Sequence, residues 1–101
     1  MAFSKKNNFL TIGIPIFNGG EFIEKRISNI KRVTKVDYHI IISDNCSDDN
    51  TEIICKQILR RNKNISYFRQ KKNIGVVDNF KFLLKKSLSK YFIFASVDDV
   101  W

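Results

Sequence analysis

The sequence predicts an α/β fold: a Rossmann-like parallel sheet of alternating β-α units, truncated after its fourth strand. Three observations carry this reading. Short Ile-rich runs alternate with segments of helical period. One of those runs, Tyr38 to Ser43, is apolar almost throughout, as a parallel strand covered on both faces is. The polar turn signals of interest follow the carboxyl ends of the runs, where open α/β sheets bind their ligands.

Phe9 to Phe17 reads as the first strand, and Asn18-Gly19-Gly20 as the turn after it. From Glu21 the period changes. Ile23, Ile27 and Ile30 share one face of a helix, with Glu21 and Glu24 in its first turn and Lys31 and Arg32 in its last, as the macrodipole prefers. Tyr38 to Ser43 is the second strand. Asp44 to Asn50 consists of turn formers apart from Cys46. A second helix runs from about Thr51 to Arg61, with Ile54 and Ile58 on one face. Ile65 to Phe68 is a third strand, and Asn73-Ile74-Gly75 a turn. Val76, Phe80, Leu83, Leu84 and Leu88 trace a third amphipathic helix, and Tyr91 to Ala95 the last strand. Residues 1–8 form a tail and residues 9–101 a domain. Right-handed crossovers between parallel strands are the expected connection.

The composition supports a globular core, with 44% hydrophobic residues and 13% aromatic ones. No apolar stretch approaches the ~20 residues of a membrane span, and the N-terminus lacks a signal-peptide core. The cytoplasm is therefore the expected location. Cys46 and Cys55 have neither CxxC spacing nor a nearby His, so two reduced thiols are expected, not a zinc site. The net charge is +8, and Lys supplies most of the 18 basic residues. A solvated Lys-rich surface accounts for it. Attraction to anionic lipid or phosphorylated substrate is a further reading. Nucleic acid is disfavoured, because its readers more often use the Arg fork.

The residues suited to chemistry cluster at strand ends. Asp98 and Asp99 follow the last strand. Hard oxygen ligands there suit Mg²⁺ or Mn²⁺ bridging to phosphates, though by itself the pair also fits a solvated turn. The common edge favours the metal. Asp44 follows the second strand, where a carboxylate can accept from an imide N–H or a ribose hydroxyl, or simply open an Asx-turn. Asp48 and Asp49 stand ahead of a helix as candidate caps. His39 lies inside a strand and reads as a packed histidine. The chain has no GxGxxG, GxxxxGK[ST], GxSxG or EF-hand spacing, which disfavours NAD enzymes, P-loop ATPases and serine hydrolases.

Taken together, the motifs resemble those of family 2 glycosyltransferases with the GT-A fold. Ile12 to Gly20 is similar to that family's first strand and turn, with Ile16 and Phe17 where Thr and Tyr are common. Ser43 to Thr51 is similar to its "SDNASTDGT" segment, Asn73-Ile74-Gly75 to its "NxG", and Phe94 to Trp101 to its DXD-type metal motif. Ser96 stands where the triplet often has its first Asp. The resemblance implies a site for a nucleotide-diphospho-sugar donor. Pro15, Ile16 and the ring of Phe17 would flank the base, Asp44 would bind it, and Glu21 lies near the same pocket. Asp98 would hold the ribose or the metal shell, and Asp99 the divalent cation itself.

The implied function is transfer of a sugar to a glycan or lipid-linked acceptor in cell-surface polysaccharide synthesis, with peripheral membrane association as a further expectation. The catalytic residues are unknown, because in the family the general base and the acceptor-binding part follow the metal motif. The 101 residues are therefore expected to be a donor-binding fragment, inactive alone. A nucleotidyltransferase-like enzyme and a non-enzymatic basic binding domain are the competing readings. The first would carry a Gly-rich basic loop after the first strand, where Asn18-Gly19-Gly20-Glu21 is acidic instead.

Overall fold

The computed structural model describes residues 9–97. It contains β1 (Leu10–Ile16), α1 (Gly20–Val33), β2 (Tyr38–Asp44), α2 (Thr51–Arg61), β3 (Ile65–Arg69), α3 (Val76–Lys86) and β4 (Tyr91–Phe94). The four strands form one sheet in the order β3-β2-β1-β4, and every pairing is parallel. The chain steps outward from β1 to β3, then crosses back and adds β4 on the other side of β1. The order therefore reverses between β1 and β4.

Side-chain alternation sorts the sheet into two unlike faces. On one face Ile12, Ile14, Ile16, Ile40 and Ile42 pack with Ile23, Ile27 and Ile30 of α1 and with Cys55 and Ile58 of α2, all at 4% exposure or less. Each of these isoleucines is stiff at χ1 and suits a pleated, covered surface. Burial in this core pushes the Cys55 thiol up to about 12, with the carboxylates of Asp44 and Asp49 adding to the effect. Both cysteines are free thiols, as expected.

The face under α3 is thinner and more polar. Thr11, His39, Ser43 and Asn79 are all buried there beside Ile41 and Leu83. Gly13 is small because a Cβ at that position would lie 2.6 Å from the Phe92 ring of β4. The expected apolar stripe of α3 is corrected accordingly. Leu83 is buried, but Val76, Leu84 and Leu88 are more than half exposed, and Leu88 lies past the end of the helix. The helix turns Asn79 inward because Ser43 needs partners. The Ser43 hydroxyl donates to Asn79 Oδ1 at 2.5 Å, and Asn79 Nδ2 donates to the Ser43 carbonyl at 3.0 Å.

Each helix ends on a basic pair: Lys31-Arg32, Arg60-Arg61 and Lys85-Lys86. In a parallel βα array these ends all lie at the amino edge of the sheet.

His39 is 3% exposed, and its Nε2 lies 2.9 Å from the Ser66 hydroxyl. Burial lowers its pKa from 6.5 to about 4. The folded state therefore holds the ring neutral where the unfolded chain takes up a proton. This stabilisation is complete above pH 6.5 and is lost as the pH falls toward about 4, at no more than about 1.4 kcal/mol per pH unit. Denaturant unfolding between pH 7 and pH 4.5 should show this decline, and His39→Gln should flatten it. An unchanged slope in the variant would refute the assignment.

Candidate functional site

The carboxyl edge of the sheet gathers most of the residues singled out from the sequence. Ile16 is 2% exposed and turns its side chain into the core, so only its backbone can face a ligand. Its carbonyl accepts from Asn45 N at 2.9 Å. Pro15 is half-buried at the β1 end. Phe17 projects beyond it at 48% exposure, which leaves a flat ring free to stack. Asn18 takes the left-handed region at φ 53°, which Asn tolerates, and turns the chain into α1. Glu21 is exposed in the first turn of α1.

Asp44 ends β2 with no exposed surface. Its Oδ1 accepts from Ser47 N at 2.9 Å and from the Ser47 hydroxyl at 2.6 Å. Its Oδ2 accepts from the Tyr67 hydroxyl at 2.5 Å and lies 3.5 Å from Arg69 Nη1. A buried carboxylate is tolerable only when paired and bonded in this way. Tyr67 and Arg69 come from β3, opposite Ile42 and Asp44 in register. Burial, and then the Asp44 carboxylate, push the Tyr67 phenol well above its usual range, so it remains a donor. Arg69 Nη1 also donates to the Ser47 carbonyl at 2.9 Å, and Cys46, at φ 68°, lies against the same guanidinium.

Two asparagines fasten the neighbouring loops to this anchor. Asn18 N donates to the Ser47 hydroxyl at 2.8 Å, and Asn18 Oδ1 accepts from Asp48 N at 3.0 Å. Asn45 Oδ1 accepts from Ile74 N at 2.8 Å, while its Nδ2 donates to the Gly75 carbonyl at 3.2 Å. Gly75 sits at φ 88°, a conformation that strains a residue with a Cβ. The loops after β1, β2 and β3 thus form one hydrogen-bonded unit.

Of the two expected caps, only Asp49 bonds the helix start. It accepts from Thr51 N and the Thr51 hydroxyl, which also hold its carboxyl below the usual range. Asp48 instead donates its backbone N–H to Asn18 Oδ1.

Asp98 and Asp99 lie outside the described residues. Among the described residues no cluster of three or more His, Cys, Asp or Glu could hold a metal ion.

Sequence reasoning missed Tyr67, Arg69, Asn45 and Asn18. The signal for the first two was present. They alternate with Phe68 and follow Ile65 on the face that bears Asp44, at the end of the adjacent strand.

The chain belongs to glycosyl transferase family 2, whose family model matches residues 11–101. It is 34% identical over 97 residues to the poly(ribitol-phosphate) beta-N-acetylglucosaminyltransferase TarP of Staphylococcus aureus, covering 90% of this chain and 28% of that protein. Two solved structures share the GT-A fold. One is S. aureus TarS 1–349 in complex with UDP-GlcNAc, with a TM-score of 0.78, 20% identity, and coverage of 89% of this chain and 26% of that one. The other is the mannosyltransferase PcManGT of Pyrobaculum calidifontis in complex with GDP-Man and Mn²⁺, with a TM-score of 0.83, 14% identity, and coverage of 99% and 31%. The chain thus spans less than a third of the length of these relatives.

Tyr67→Phe keeps the ring and removes one donor from the Asp44 carboxylate. It should lower stability by about 1–3 kcal/mol, read by denaturant unfolding at neutral pH. A loss below a few tenths would mean that Asp44 does not depend on the bond.

Proposed function

We propose that this chain is the donor-binding portion of an enzyme that transfers a sugar from a nucleotide-diphospho-sugar to a glycan or lipid-linked acceptor of a cell-surface polysaccharide. One observation carries the reading. The exposed ring of Phe17 stands at the reversal of strand order, beside the strand that leads toward Asp98 and Asp99. The family membership and the names of the relatives support it.

The base stacks on Phe17 with the Pro15–Ile16 backbone at its edge. Asp44 meets the base through its carboxylate or through the loop that it orders; the four contacts it already makes leave little room for a fifth. Glu21 lines the approach. Asp98 and Asp99 are the residues that would hold Mg²⁺ or Mn²⁺. When bound there, a divalent cation neutralises the charge that develops on the leaving nucleoside diphosphate. The acceptor hydroxyl, deprotonated by a general base, attacks the anomeric carbon, and the bond to the nucleoside diphosphate breaks.

Calorimetry with UDP and Mn²⁺ tests this reading. Binding should require the metal and should disappear in Asp99→Ala. Phe17→Ala should weaken it by about 1–3 kcal/mol, the worth of one stacked base. Binding that is indifferent to both the metal and Asp99 would sink the proposal.

A further inference from the structure

We propose that the amino edge of the sheet, opposite the candidate site, is a docking face for an anionic lipid bilayer. Charge is unevenly spread along the strand direction. At the carboxyl edge Asp44 ends β2, Asp48 and Asp49 follow it, and Glu21 and Asp78 open α1 and α3, set against the cations Arg69, Lys71 and Lys72. At the amino edge the basic pairs that close the three helices meet three further exposed lysines, Lys35, Lys63 and Lys90, in the connections to the next strands. Among the described residues of those connections Asp37 is the single acid.

The helix dipole accounts for the pairs in the last turns. It does not account for lysines beyond the helices, nor for the aliphatic side chains set among them. Val33, Val36 and Leu88 are 52%, 45% and 60% exposed at the same edge. An interleaved surface of this kind suits a membrane interface. Ammonium groups meet lipid phosphates, the aliphatic tips enter the headgroup region, and the long Lys stems reach outward. A nucleic acid would use the cations but would give the aliphatic tips nothing. The inference does not rest on the transfer reaction. If it holds, the carboxyl edge points away from the bilayer.

Co-sedimentation with phosphatidylcholine vesicles, with and without phosphatidylglycerol, tests the face. The chain should bind the anionic vesicles in a salt-sensitive way and the neutral ones at least about tenfold more weakly. The triple variant K35E/K63E/K90E should lose roughly a hundredfold in affinity. K71E/K72E, at the opposite edge, should lose little. Val36→Ser with Leu88→Ser should weaken vesicle binding without changing binding to duplex DNA. Far-UV circular dichroism would verify that each variant is folded. Equal binding to neutral vesicles, equal losses from charge reversal at either edge, or serine variants that bind vesicles as the parent does would each overturn the proposal.

Discussion

β1 is the strand on which both halves of the sheet depend, and a missing N–H limits how far one of them pairs with it. On the β4 side the last bond runs from Ala95 N to the Gly13 carbonyl at 2.9 Å. The next bond of a parallel ladder would come from the N–H of residue 15, which is a proline. On the β2 side β1 stays paired through Ile16 and Asp44. Among the described residues the β1–β4 ladder therefore stops at Gly13 and Ala95, short of the carboxyl edge at which the strand order reverses. Phe17 leaves β1 at that edge.

The second organising element is a buried charge. Asp44 is sealed from solvent, and donors from Ser47, Tyr67 and Arg69 meet both of its oxygens. Such a group contributes little net stability compared with an apolar core, but leaving it unpaired is expensive. It therefore specifies one arrangement of the loop after β2 and the end of β3. Asn18 and Asn45 extend that arrangement to the loops after β1 and β3. The rim of the site is held by mutually satisfied polar groups.

Much of this was legible in the sequence. The order of seven elements followed from the change of period, and β2 and α2 lie within one residue of their expected bounds. The Ile-rich face was readable because each Ile recurs with the period of its own element. The face under α3 was not. There the helix buries Asn79 in place of Leu84, because Ser43 on the facing strand needs a partner, and a one-dimensional pattern does not show which residue lies opposite. The strand ends that bear Phe17 and Asp44 were legible from position alone. The β3 residues that hold Asp44 were legible as one face of a strand, but their pairing with Asp44 was not, since it depends on register across two strands.

The central proposal is that the nucleotide lies at the carboxyl edge of β1, against Phe17. A crystal structure of the protein with UDP and Mn²⁺ tests it most directly. The account predicts a base stacked on Phe17 and a metal-bound diphosphate running toward Asp98 and Asp99. A nucleotide seated elsewhere, such as the groove between α1 and α2 near Glu24 and Arg61, would contradict it.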